Sequence, residues 1–134
     1  MKRLTDVSEL LRSLEPQLRP GEFVYVSGDH LPAEVSPEST VRESEGLSAV
    51  ITRAEADEHG LSYDFVGAWI TLAVYSALDA VGLTAAVSDA LGRHGISCNM
   101  IAGLHHDHLI VPIDRADDAL TILRRLAAQP PRRR

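Results

Sequence analysis

The segment VGAWITLAVYSALDAVGLTAAVSDALG, residues 66–92, contains a strand pattern, a turn and a helix pattern in one run. Its first part alternates with the period of a strand and has one aliphatic face, formed by Val66, Ala68, Ile70, Leu72 and Val74. Its last part places apolar residues on one helical face, namely Leu83, Val87, Ala90 and Leu91. The segment therefore predicts a strand over residues 66–75 and a helix that starts after Gly82 and closes at Gly95.

Three more helices and four more strands are predicted around this segment. The helices cover residues 7–14, ended by Pro16, residues 52–60, with a capping box at Thr52, and residues 114–126. The strands cover residues 23–27, 47–51, 96–101 and 108–113, while residues 29–45 are predicted to be a long irregular connection. The order α-β-β-α-β-α-β-β-α predicts an α+β fold, in which helices cover one face of an antiparallel sheet on the ferredoxin-like plan.

Composition excludes several classes of function. Lys and Arg number 13 against 19 Asp and Glu, a net charge of −6, and aromatic residues make up 4% of the chain. An acidic surface repels a phosphate backbone and scarce aromatics disfavour base stacking, so no nucleic-acid partner is predicted. The single Cys98 permits no internal disulfide, and no segment resembles a signal peptide or a membrane span. These features predict a cytoplasmic protein.

The turn before the third helix is the best candidate for a ligand site. Gly82 would let the backbone approach a ligand, and the free N–H groups of a helix start attract a carboxylate. Ser76 and Thr84 add hydroxyl groups, and Asp79 could hold an ammonium group. An amino acid presents both charges and suits this set. The alternative is a strand-to-helix turn in which Gly82 serves geometry alone.

Other polar residues have both a functional and a structural interpretation. Asn99, if buried, could donate to a carboxylate and accept from an ammonium group, or it could tie down a neighbouring loop. Cys98 is predicted to be a small buried side chain rather than a nucleophile. Glu43 and Glu45 could face one cleft or form a solvated strand entry. No catalytic or cofactor-binding motif is present, so no catalytic residue and no cofactor are predicted.

The run His105-His106-Asp107-His108 contains proper metal ligands. Adjacent residues of an extended chain point to opposite faces, so at most two alternate ones can converge. No metal site is therefore predicted within one chain. A site that uses two copies at a subunit interface stays open.

Several stretches resemble those of small bacterial tandem ACT-domain proteins. They are residues 69–72, 80–86, 96–99, 102–103 and 106–108 in the second half, and residues 21–26 and 42–47 in the first half. The resemblance implies an ACT-like unit over residues 1–62 and an ACT domain with βαββαβ order over residues 63–128. The terminal residues 129–134, which end in three arginines, are predicted to be a disordered tail. ACT domains of aspartate kinases and of cytosolic arginine sensors bind amino acids at interfaces between ACT units.

The resemblance also implies ligand-binding residues and an assembly. Carried over to this chain, the ligand site comprises Val81, Gly82, Leu83 and Thr84 at the helix start, with Asn99 and Ile101 on the adjoining strand. We expect a stand-alone regulatory protein that binds an amino acid or another small molecule and has no catalytic activity. We also expect a homodimer formed through the edges of the ACT sheets. Two alternatives stay open: a metal-binding protein or metal-dependent enzyme that uses the cluster from His105 to His108, and a ligand-free protein-interaction module.

Overall fold

The structure is a computed structural model that describes residues 6–74 and 82–128. The helices are α1 (Val7–Arg12), α2 (Arg53–Glu58), α3 (Leu83–Gly92) and α4 (Ala116–Ala128), with a 3₁₀ turn (Ile113–Arg115) before α4. The strands are β1 (Pro16–Leu18), β2 (Phe23–Ser27), β3 (Ser39–Glu43), β4 (Gly46–Thr52), β5 (Val66–Leu72), β6 (Asn99–Ala102) and β7 (Asp107–Pro112). Every strand pair whose register is described is antiparallel. The predicted α+β, ferredoxin-like class is confirmed.

Packing divides the chain into two compact units. The inserted unit is Pro20–Ala68, and the split unit combines Met1–Arg19 with Trp69–Arg134. Strand β5 gives residues 66–68 to the inserted unit and residues 69–72 to the split unit. The sequence-based division after residue 62, which treats both units as continuous, stays a prediction, and residues 129–134 lie outside the described part of the chain.

The inserted unit has the strand order β3-β4-β2-β5. When the strands of this unit are numbered along the chain, their order in the sheet is 2-3-1-4, which is the ferredoxin-like order. The first helix of that plan is replaced by the loop of residues 28–38. The loop covers the core that such a helix would cover, because its Val35 is buried and its Leu31 packs against the same cluster. The other members of that cluster are Val24, Val26, Ala49, Ile51 and Ala56.

The split unit has the strand order β1-β5-β7-β6. Its first strand is β5, its second and third are β6 and β7, and its fourth is β1 from the start of the chain. Register pairs Pro16 with Leu72 and Leu18 with Ile70. Helix α3 follows the first strand and α4 follows the third; α3 packs on α4, and α1 packs on both. This unit therefore holds all four strands and both helices of the ferredoxin-like plan, assembled from two stretches of sequence.

Two helix starts follow the capping pattern in the sequence. The Asp6 carboxylate accepts from the Glu9 N–H at 3.0 Å and caps α1. The Thr52 hydroxyl accepts from the Glu55 N–H at 3.2 Å, so the predicted N-cap of α2 is confirmed. The Glu55 carboxylate accepts from the Thr52 hydroxyl at 2.9 Å, whereas in a capping box it would accept from the Thr52 backbone N–H. None of the described helices is long and apolar enough to cross a bilayer.

Several sequence predictions need correction. The connection over residues 29–45 is not wholly irregular, because β3 pairs with β4 from Ser39 to Glu43. Pro16 does not end the first helix, which stops at Arg12, but opens β1 at a position where a strand tolerates proline. The strand β5 ends at Leu72 rather than at residue 75, and β6 begins at Asn99 rather than at Ile96.

Candidate functional site

Helix α3 starts differently from α1 and α2. Its N-cap is Gly82, which has a φ of 109° and makes no side-chain capping bond. The helix closes its first turn when the Ala86 N–H donates to the Gly82 carbonyl at 2.9 Å. The first N–H groups of any helix lack intrahelical acceptors, and together with the helix dipole they attract anions. In α1 and α2 the N-cap side chain accepts from a first-turn N–H group, whereas the N-cap of α3 has no side chain to do so.

Gly82 is also required by packing within the split unit. A β-carbon at this position would lie 3.0 Å from Cγ2 of Val7, the first residue of α1. The φ of 109° is one that residues with a β-carbon rarely adopt. The space beside the Gly82 α-carbon is filled by α1, so glycine is needed there whether or not a ligand binds.

The other predicted ligand residues occupy different environments. Thr84 is exposed, Leu83 is buried and Ile101 is half-buried. Asn99 is exposed rather than buried, and its amide Nδ2 donates to the Ile110 carbonyl across the β6–β7 pair at 3.3 Å. Ser76, Asp79 and Val81 lie outside the described residues. Within residues 6–74 and 82–128, no hydrogen bond joins Asn99 to the start of α3.

A second polar cluster in the split unit centres on His108. The Trp69 indole N–H donates to His108 Nδ1 at 3.3 Å, and the Thr71 hydroxyl oxygen lies 2.9 Å from the same nitrogen. The Arg19 guanidinium lies 5.0 Å from the Trp69 ring centroid, a cation–π contact. Trp69 can only donate, so Nδ1 of His108 must be unprotonated to accept from it.

Electrostatics favours that neutral form of His108. Burial lowers the pKa of His108, the charges of His106 and Arg19 lower it further, and Asp107 opposes them. This cluster was missed by the sequence analysis, because Thr71 and His108 are 37 positions apart and are joined only when β5 and β7 pair.

The described histidines give no sign of a metal centre. His106 Nδ1 lies 3.4 Å from the Val74 carbonyl, and His105 is exposed. Among the residues that the structure describes, no three His, Cys, Asp or Glu side chains are grouped closely enough to hold a metal ion. Cys98 is half-buried, and burial raises the pKa of its thiol, which disfavours the reactive thiolate.

The inserted unit contains an open cavity of about 420 Å³. It lies where the end of β2, the β3–β4 hairpin and residues 62–64 meet. Its lining includes four carboxylates, three serine hydroxyls and two tyrosines: Asp29, Glu43, Glu45, Asp64, Ser27, Ser48, Ser62, Tyr25 and Tyr63. Glu43 and Glu45 both line this cavity and both are exposed, which fits the cleft and the solvated strand entry alike.

Internal hydrogen bonds hold parts of this lining in place. The Asp29 carboxylate accepts from the Leu47 N–H at 3.1 Å, and a β-carbon at Gly46 would overlap that carboxylate. The Ser48 hydroxyl donates to the Glu43 carboxylate. Asp29 therefore fixes the start of β4, whereas Glu45 and Asp64 are exposed at the cavity.

Comparisons with known proteins agree with this architecture. Models of the ACT domain match residues 4–68 and residues 65–125. A protein of unknown function from Vibrio cholerae, described as a possible transport protein, is 39% identical over 90% of this chain and 94% of its own, with a TM-score of 0.80. A comparison with curated protein sequences finds no match.

Two more distant structures share the fold. A protein from Agrobacterium tumefaciens is 19% identical, with a TM-score of 0.69 over 85% of this chain and 89% of its own. The ligand-free regulatory subunit of aspartate kinase from Thermus thermophilus is 10% identical, with a TM-score of 0.63 over 87% of this chain and 99% of its own. The chain belongs to the ACT-domain family and consists of two ACT domains in tandem.

Proposed function

We propose that this chain is a stand-alone regulatory protein that binds an amino acid and has no catalytic activity of its own. ACT domains are regulatory modules that bind small ligands, typically amino acids. Function must still be argued from the site, because one fold hosts many functions.

The observation that carries the proposal is the start of α3. In a complete ACT domain, this helix begins at the left-handed Gly82 without a side-chain cap, while α1 and α2 are capped. A ligand carboxylate would accept from the first-turn N–H groups and from the exposed Thr84 hydroxyl. The proposed site also includes Leu83, with Ser76, Asp79 and Val81 from the sequence that precedes the helix.

Assembly would complete this site. In the described sheet, β6 pairs with β7 alone, so its other edge is open to a second copy of the chain. We propose a homodimer through such ACT edges, with Asn99 and Ile101 of β6 at the ligand interface. A regulatory output would then pass through assembly or through a protein partner.

The proposed lack of catalytic activity is supported by chemistry rather than by the fold. No P-loop, nucleophile elbow or paired cysteine motif is present in the sequence. Burial keeps Cys98 in the thiol form, since it raises the pKa of that group. We place the protein in the cytoplasm because its single cysteine suits a reducing compartment.

A thermal-shift screen with the twenty amino acids tests the proposal. A ligand at about 100 times its dissociation constant adds roughly 2.7 kcal/mol to the free energy of unfolding. Calorimetry on Thr84→Val then tests the site, since loss of one hydrogen bond to a charged group weakens binding about ten- to a hundredfold.

Thr121→Val is the matched control, because Thr121 is an exposed threonine of α4 that bonds only the Asp117 carbonyl at 3.1 Å. We expect it to bind like the parent protein. A screen without any shift would contradict amino-acid binding. Equal affinities of Thr84→Val and the parent would move the site away from α3.

A further inference from the structure

We propose that the cavity of the inserted unit is a second binding site, for a small organic cation with ammonium or guanidinium groups. The cavity is lined by residues between Tyr25 and Asp64 and shares no residue with the start of α3. The proposal therefore goes beyond the amino-acid site and does not depend on it.

The size of the cavity suits an organic molecule. Its volume of about 420 Å³ falls within the range of roughly 300–1,000 Å³ that is typical of small-molecule pockets. A single water takes up about 30 Å³ of liquid volume, so a bare ion would leave the space largely filled by solvent. A ligand with a chain of several carbon and nitrogen atoms would contact all three segments that form the walls.

The charge of the lining selects a cation. Four carboxylates line the cavity and no Lys, Arg or His does. A hydrogen bond from the Ser44 hydroxyl lowers the pKa of Glu45, which keeps that carboxylate ionised at neutral pH. Arg53 bonds the hydroxyl of the lining residue Tyr63 at 2.9 Å, but Glu22 holds its guanidinium at 2.8 Å. The cavity carboxylates are thus left without a basic side chain in the lining.

The distribution of these groups favours an organic cation over a metal ion. Within the described residues, no three carboxylate or imidazole side chains converge on one point as metal ligands would. Instead the carboxylates come from the loop after β2, from the β3–β4 hairpin and from residues 62–64 before β5. Several N–H donors spread along one ligand would match this distribution. Tyr25, a lining residue that is 38% exposed, provides an aromatic ring for a cation–π contact.

The same lining disfavours an ordinary amino acid. The α-carboxylate of such a ligand would approach four carboxylates without a basic side chain to receive it. Agmatine carries a guanidinium and an ammonium group and lacks a carboxylate, whereas arginine adds one. This pair of probes isolates the effect of the ligand carboxylate.

Calorimetric titration with agmatine, arginine and Mg²⁺ tests the proposal. We expect agmatine to bind, arginine to bind at least about tenfold more weakly because of its carboxylate, and Mg²⁺ to bind more weakly than agmatine. No agmatine binding at millimolar concentration would overturn the proposal. So would Mg²⁺ binding that is tighter than agmatine binding, since it would indicate an ion site.

Variants locate the site. Asp64→Asn and Glu45→Gln each remove one exposed cavity carboxylate, and we expect either to weaken agmatine binding by about tenfold or more. Asp117→Asn removes an exposed carboxylate from the first turn of α4 and is the matched control for net charge. Equal weakening by Asp64→Asn and Asp117→Asn would overturn the proposal, because it would reduce binding to general charge attraction. Circular dichroism checks that each variant folds.

The result is separable from that for the amino-acid site. Asp64→Asn should leave the binding of any amino acid at α3 unchanged, and Thr84→Val should leave agmatine binding unchanged. Loss of agmatine binding in Thr84→Val would place both ligands at one site and overturn the second.

Discussion

The two ACT domains share a strand order but differ in the segment that follows the first strand. In the split unit that segment leads into α3, and in the inserted unit it is the loop of residues 28–38. The loop still covers the core with Leu31 and Val35. It does not supply a helix start, and the Asp29 carboxylate bonds the Leu47 N–H instead.

This difference shows that the segment after the first strand can cover the core without presenting a helix start to a ligand. Two apolar side chains of the loop cover the core beside Ala56 of α2, since burial depends on apolar area and not on backbone conformation. A helix start carries partial positive charge and favours anions. The cavity of the inserted unit is lined by carboxylates, so the two proposed sites offer complementary charges: backbone donors for a ligand carboxylate at α3, and acceptors for a cation in the inserted unit.

The largest expected effect tests the glycine that starts α3. Gly82→Ala should lower the free energy of unfolding by about 2–4 kcal/mol, because the added β-carbon both strains the backbone and overpacks a contact. The strain follows from the φ of 109°, and the contact is the 3.0 Å approach to Val7. Denaturant unfolding measures the change.

Gly60→Ala is the matched control in the inserted unit. Gly60 has a φ of 64°, but nothing lies within 4 Å of an added β-carbon. It should therefore lose only the strain, about 1–2 kcal/mol. Equal losses in the two variants would show that Val7 yields and that its contact does not restrict residue 82.

A smaller effect tests whether the loop replaces a helix. Val35→Ala should cost about 1–3 kcal/mol, because it removes two methyl groups from a buried position of the inserted unit's core. Val35 is 6% exposed, and its counterpart for comparison is Val87 of α3, which is fully buried.

Val87→Ala should cost about as much or slightly less, since alanine regains some helix propensity that valine lacks. Chemical unfolding of the two variants gives the comparison. A cost below about 0.5 kcal/mol for Val35→Ala would be typical of a surface position and would mean that the loop merely lies on the sheet.

Local patterns in the sequence predict the elements that bury a face. The bounds of β2 match the prediction, and the N-cap of α2 is Thr52, as the residue type indicates. In contrast, β3 escapes a search for apolar alternation because it is mostly exposed, with Val41 57% exposed. The short β1 begins with a proline, which also marks helix ends.

Long-range pairing could not be predicted in the same way. No local pattern indicates that β1 pairs with β5, so the sequence predicts a continuous C-terminal domain without β1. The candidate turn at Gly82 followed from residue type, yet its contact with Val7 depends on the packing of α1. The cluster of Trp69, Thr71 and His108 likewise depends on the β5–β7 pairing.

The smallest expected effect is a pH dependence of the free energy of unfolding that arises in the split unit alone. In the split unit, burial lowers the pKa of His108 in the folded state below its usual value near 6.5. The unfolded chain then binds more protons than the folded one as pH falls through about 6.5, so stability falls with pH until the lower, folded pKa is passed. Protonation of Nδ1 would also remove the acceptor of the Trp69 N–H, and Thr71 lies at the same nitrogen. The charges that act on the pKa of His108 are those of His106, Asp107 and Arg19.

Unfolding free energies measured by denaturant between pH 8 and pH 5 test this sign. His108→Gln keeps an oxygen acceptor for Trp69 but cannot titrate, so its stability should fall less over that range than that of the parent protein. His105→Gln is the control, because His105 is exposed. The cavity of the inserted unit has no histidine in its lining, so Asp64→Asn should leave the decline near pH 6 in place. If His108→Gln and the parent decline in parallel, the pH sensitivity does not come from His108.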